Sequence, residues 1–190
     1  MEIINTGLAE CFIIKPKIFE DSRGYFFESF NETSFKKTIG KDINFVQDNQ
    51  SYSSYGVIRG LHAQSGDYAQ AKLVRVLGGG VLDVAVDARP ESSTYGKHIA
   101  VELTAENKLQ LFIPRGFLHG FAVLSKTAEF FYKCDNLYKK EAELGVSYNS
   151  PELGIDWIIP QKDQLISQRD LELPLFLKYN NSILESIPLK

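Results

Sequence analysis

With 190 residues, 44% of them hydrophobic and 24% charged, and a net charge of −3, the chain has an ordinary globular composition. This excludes a disordered segment and a collagen-like fibre, and the slight acidity argues against a general nucleic-acid binder, which would carry a basic face. The length predicts one domain over residues 1–190 with a sizeable core. No apolar run approaches the roughly 18 residues of a membrane span. Met1 to Lys15 carries Glu2 and Glu10 and has no basic region leading into an apolar run, so a cytoplasmic protein with no membrane partner is expected. The two cysteines, Cys11 and Cys134, lack metal-type spacing and are read as buried thiols in a reducing compartment. Only three histidines, His62, His98 and His119, are present to do acid–base chemistry near neutral pH.

In chain order, Asp21-Ser-Arg-Gly-Tyr-Phe-Phe-Glu28 is a polar-aromatic cluster with Arg23 in a turn. Glu32–Ile39 is predicted as a short helix with Asn31 as cap and Gly40 as stop. The polar run Val46–Ser51 precedes Gly56-Val-Ile-Arg-Gly-Leu-His-Ala-Gln64, an apolar strand carrying Arg59 and His62. Strict alternation sets these two on opposite faces, so Gly60 is marked as a bulge that re-aims one of them. Strands are predicted at Ala71–Leu77, Val81–Val86, His98–Leu103, Leu109–Ile113, Phe121–Leu124 and Glu129–Cys134, with a single turn at Thr104–Lys108. Alternation groups Lys72 with Val74 and Val76 on one face, and Phe130, Tyr132 and Cys134 on another. After Pro151, short helices are expected around Asp163–Leu165 and Leu171–Leu177, with Ser167-Gln-Arg-Asp170 as a polar turn. Many short strands without helices between them predict an all-β sandwich or barrel.

Pro114-Arg-Gly-Phe-Leu-His119 resembles the second half-motif of the cupin fold. The matching first element, His62-Ala-Gln64, has no second histidine, and Val123 stands where metal cupins often have Asn. Two imidazoles are too few for a transition-metal site, so no metal is expected.

Further segments complete a pattern: Phe19-x-Asp-x-Arg-Gly-x-Phe-x-Glu28, Phe45-Val-Gln-Asp-Asn-x-Ser51, Gln70-Ala-Lys-Leu-Val74, Asp83-Val-Ala-Val-Asp87 and Tyr132-Lys-Cys134. Together with the Arg-Gly-Leu-His-x-Gln and Pro-x-Gly-Phe-x-His-Gly-Phe elements, they resemble the dTDP-4-dehydrorhamnose 3,5-epimerases from about Ile14 to Leu177. The resemblance implies a cupin-like β jelly roll (a double-stranded β-helix with a few short helices) and a homodimer that needs no cofactor. Its substrate would be a dTDP-linked 4-keto-6-deoxy sugar, inverted at carbons 3 and 5.

Both carbons lie beside a keto group. Removing a proton gives an enolate, and returning one on the opposite face inverts the centre, so a base, an acid and an enolate stabiliser are required. The resemblance assigns the base to His62 with Asp170 as its partner, the proton donor to Tyr132 and the group beside the keto oxygen to Lys72. It assigns the diphosphate to Arg23 and Arg59, with Gln47, Asp48 and Asn49 lining the same region. His119 becomes a substrate contact, Glu28 a partner of thymine and Tyr138 a stacking surface for the base, with Glu143 and Arg169 as further substrate contacts. Proton exchange moves no hydride, and no nicotinamide motif is visible.

Three departures from the family pattern, Ala63, the proline-free Ser65–Tyr68 loop and Ser150, bear on fine sugar specificity. A single-carbon epimerase acting on a related sugar shares the same motifs. A non-catalytic nucleotide-sugar-binding cupin, or a metal-dependent cupin oxygenase or isomerase, is the reading from another class.

Overall fold

A computed structural model describes residues 1–177. Its elements in chain order begin with β1 (Glu2–Asn5), β2 (Phe12–Lys15), β3 (Phe19–Asp21), β4 (Gly24–Phe26) and α1 (Glu32–Ile39). The central strands are β5 (Gln47–Ser54), β6 (Val57–Gln64), β7 (Lys72–Gly78), β8 (Gly80–Asp87), β9 (His98–Thr104), β10 (Gln110–Ile113), β11 (Phe117–Val123) and β12 (Thr127–Cys134). The chain continues through β13 (Glu143–Gly145), β14 (Leu165–Ile166) and α2 (Gln168–Leu171).

The strands form two large sheets. One has the order β1-β2-β10-β7-β12-β5; the other runs β13-β6-β11-β8-β9, with β14 added in parallel to β6. A separate hairpin pairs β3 with β4. All other pairings are antiparallel, and the facing sheets form the expected jelly roll.

Alternation explains the layers. On β8, Val81 and Ala85 point between the sheets, where they meet Val74, Val76, Leu111, Phe121 and Phe130. Leu82, Val84 and Val86 point the other way, under Leu153, Trp157, Ile159 and Phe176 of the C-terminal segment. The outer face of the first sheet is covered by α1, whose Phe35 is fully buried against Ile14, Leu73 and Phe112. Burying a side chain of that size is worth about 1.5–3 kcal/mol. Asn31 caps α1 by accepting from Ser34 N, and Gly40 ends it in the left-handed conformation at φ 68°, as the sequence predicts.

Two predicted helices differ. Around Asp163 there is a single 3-10 turn, Gln161–Asp163, and Leu165 pairs with Val57 as strand. The helix expected around Leu171–Leu177 is helical only at its two ends: α2 finishes at Leu171, residues 173–175 are irregular, and Phe176 and Leu177 are helical again; Pro174 disfavours helix at the residue before it. The strand expected to begin at Phe121 begins at Phe117, directly after the Pro114–Gly116 turn. Both cysteines are buried and unpaired.

Asp87, wholly buried at the end of β8, accepts from Arg89, Ser92 and Thr94, and Arg89 also bonds Glu10. Burial raises the Asp87 carboxyl, but these donors outweigh it and hold it below the usual range. A depressed folded value means the contribution is complete above the unfolded carboxylate's value of about 3.9 and fades as pH falls through the folded one. Asp87→Ala is expected to cost about 3 kcal/mol at pH 7. In urea unfolding, the difference from the parent should shrink as pH falls below about 4; a pH-independent difference would contradict the ionised network.

Candidate active site

A cleft of about 680 Å3 opens between the two sheets, lined from one side by Lys72, Phe130 and Tyr132 and from the other by Arg59, His62 and His119. Ser167, Arg169 and Asp170 close one flank.

Arg59 and His62 both face this cleft because β6 carries one extra residue. His62 pairs with His119 and Arg59 with Phe121, so three steps on β6 oppose two on β11. The extra residue is Gly60, as marked in the sequence, with φ 126°. A Cβ there would sit 2.6 Å from Gly120 Cα and 2.9 Å from the His119 carbonyl oxygen. Glycine therefore satisfies both the backbone conformation and the close approach of the strands.

His62 Nε2–H donates to Asp170 Oδ1 at 2.7 Å. Asp170 is 4% exposed and also takes the Gly60 N–H at 3.5 Å. Burial pushes the Asp170 carboxyl up, but His62, Gly60 and Ser167 together hold it below the usual carboxylate range. An ionised Asp170 fixes the proton on Nε2 and leaves the Nδ1 lone pair as the basic atom.

Across the cleft, on the other sheet, stands Tyr132. Burial is the main reason its phenol is pushed up to about 12. Among the described residues its hydroxyl has no hydrogen-bond partner, and the Lys72 ammonium lies 5.8 Å from its ring centroid. Burial pushes the Lys72 amine down. Negative charge developing beside it therefore favours its charged form. Arg59 donates through Nε and Nη2 to Ser53 Oγ, both at 3.2 Å, which fixes the plane of the guanidinium.

Further residues complete the site beyond those assigned from the sequence. Asp83, fully buried, accepts from His119 Nε2 at 3.0 Å. Burial lowers His119 in spite of this partner. The signal was present, since a carboxylate within the apolar run Val81–Val86 requires a partner. Ser53, Ser51 and Gln164 gave no comparable signal.

The structure gathers Arg59, His62, Lys72, His119, Tyr132, Arg169 and Asp170 in one cleft. Glu143 and Tyr138 reach it through contacts: Tyr138 Oη–H donates to Glu143 at 2.7 Å, and Glu143 pairs with Arg169 at 2.6 Å. Asp48 is a correction. It lies on the outer face of β5, bonded to Lys133 at 2.9 Å, because three consecutive strand residues cannot share one face. Gln47 and Asn49 point inward but bond each other, Tyr138 N and Cys134, and do not line the cleft. Arg23 and Glu28 also do not line it: Arg23 is bound to its own Asp21 at 2.6 Å, and Glu28 accepts from Asn31.

The family model described as dTDP-4-dehydrorhamnose 3,5-epimerase matches residues 5–178. The chain is 51% identical to the dTDP-4-dehydrorhamnose 3,5-epimerase of Escherichia coli K12 over 166 residues, 87% of this chain and 89% of that one. It is similar to the solved structure of the Elizabethkingia anophelis enzyme of the same name, with 55% identity, a TM-score of 0.92 and coverage of 95% and 98% of the two chains. It is also similar to the Legionella pneumophila dTDP-6-deoxy-D-glucose-3,5-epimerase solved with dTDP-4-keto-L-rhamnose, with 46% identity, a TM-score of 0.92 and coverage of 100% and 98%. With the signature histidines gathered in the cleft, these matches give one conclusion: the chain belongs to the dTDP-4-dehydrorhamnose 3,5-epimerase family.

Proposed function

We propose that the chain, as one domain, epimerises dTDP-4-dehydro-6-deoxy-D-glucose at carbons 3 and 5, giving dTDP-4-dehydro-L-rhamnose. The observation that carries this reading is the opposition of the His62–Asp170 pair on one sheet to Tyr132 on the other, across a single cleft. His62 Nδ1 takes a proton from the carbon beside the keto group, and Asp170 stabilises the imidazolium that forms. The electron pair moves onto the keto oxygen, where Lys72 offsets the negative charge. Tyr132 returns a proton to the opposite face of that carbon. Its raised value keeps the phenol protonated at neutral pH. His62 then gives its proton to solvent and Tyr132 regains one from solvent, so that a second cycle inverts the second carbon, and no oxidation state changes. Arg59, oriented by Ser53, takes the diphosphate.

The same reading makes the chain a cytoplasmic homodimer. Its two buried, unpaired thiols suit a reducing compartment. The β3–β4 hairpin presents Phe19, Tyr25 and Phe26 at 54%, 59% and 71% exposure, an apolar surface suited to a second copy. In such a pair, Arg23 and Glu28 would face the neighbouring copy's cleft.

The test is incubation with dTDP-4-dehydro-6-deoxy-D-glucose in D2O, with the product read by NMR. Deuterium at both carbons is expected; label at one carbon overturns the 3,5 reading, and no label overturns epimerisation. Sedimentation of the same sample should give twice the 21.4 kDa chain mass, and the monomer mass would remove Arg23 and Glu28 from the site.

A further inference from the structure

Asp170 sits on α2, a helix of four residues. One turn of helix has no stability of its own in water. Its place must come from its attachments. Ser167 Oγ accepts from Asp170 N at 3.1 Å, and β14 joins the preceding residues to β6. Asp170 itself takes the Gly60 N–H, and the chain beyond the turn is bonded through Pro174 O to Ser147 N; the tie from the turn to β13 is Arg169, whose Nη2 lies 2.6 Å from Glu143 Oε1. Successive side chains on a helix diverge by about 100°. Arg169 therefore reaches sideways to β13 while Asp170 reaches in to His62.

Glu143 is well placed to anchor this turn. It opens β13, in register with Gln64, and two residues later Gly145 is in register with His62. Its second oxygen accepts from Tyr138 Oη–H at 2.7 Å, so both carboxylate oxygens are engaged. Its side chain is only 14% exposed. A closed circuit results, running from His62 to Asp170, Arg169, Glu143 and back along β13 to β6.

We propose that Tyr138, Glu143 and Arg169 form a latch that holds Asp170 in line with His62, with Arg169 and Glu143 as positioning residues for the base. An ion pair with one exposed partner adds little stability. Order is the quantity at stake, since a shift of about 1 Å at a reacting group can cost about a hundredfold in rate. The kinetic consequence rests on the epimerase reading; the spectroscopic one does not.

The test uses Arg169→Met, which removes the tie at an exposed position. The groups facing His62, namely Asp170, Glu143, Lys72, Arg59, Tyr132 and the His119–Asp83 pair, are all retained, so only the tie on Asp170 is changed. In 15N-histidine-labelled protein without sugar, the His62 Nε2–H signal, assigned by its loss in His62→Ala, is expected to exchange with water roughly tenfold faster in the variant. Arg169→Lys should restore the slow exchange. With substrate, kcat should fall roughly tenfold with KM within about threefold, and the loss should not add to that of Asp170→Asn. Unchanged exchange overturns the latch, as does a raised KM at parental kcat. If the parent shows no epimerisation, the functional reading fails while the exchange measurement still decides the latch.

Discussion

His62→Ala is expected to lower turnover by about 10³–10⁴-fold while leaving dTDP affinity within about threefold of the parent. Two imidazoles in the cleft are held by buried carboxylates: His119 is itself buried against Asp83, and His62, the more exposed of the two, has its tautomer fixed by the 2.7 Å bond to Asp170. Arg59 is held by Ser53 and does not depend on His62, so the nucleotide end of the site should survive. The substitution leaves Asp170 buried without its main partner, at a cost of about 1–3 kcal/mol in stability. A thermal melt therefore accompanies the kinetics. Asp170→Asn should fall between the parent and His62→Ala, because the ring stays but loses its orienting charge. Parental turnover in His62→Ala would refute the base assignment.

Tyr132→Phe is expected to lower kcat by about 10²–10³-fold with KM nearly unchanged and no loss of stability. The phenyl ring keeps its place beside Phe130, with centroids 6.0 Å apart. Only the hydroxyl is lost, and among the described residues it has no partner to strand. A structural tyrosine would show the reverse, a destabilised protein with normal turnover. Melting curves and steady-state kinetics on one sample separate the two.

The strands that pack on both sides were the legible part of the fold. β8 and β11 read as apolar runs because both their faces are buried. β5 was not read as a strand, because its inner positions, Asn49, Ser51 and Ser53, face polar partners or the cleft, and its outer ones face water. No hydrophobic period marks such a strand. The bulge at Gly60 was legible because Arg59 and His62 violate alternation unless one residue is extra. Asp48 does not share the inner face with Gln47 and Asn49, because a strand sends the middle of three consecutive residues to the other side. The partnership of Glu143 with Arg169 was invisible, since 26 positions separate residues that meet only when β13 and α2 both dock beside β6.

In the two-sided mechanism, groups on opposite sheets exchange protons with opposite faces of one carbon. Incubating Tyr132→Phe and His62→Ala with dTDP-4-dehydro-6-deoxy-D-glucose in D2O, and reading recovered substrate and product by NMR, separates the two exchanges. Tyr132→Phe should yield substrate deuterated beside the keto group with its original configuration, because the base still works and no acid serves the far face. His62→Ala should yield unlabelled substrate. Inversion at the parental rate in Tyr132→Phe, or deuterium uptake in His62→Ala, would contradict the two-sided mechanism.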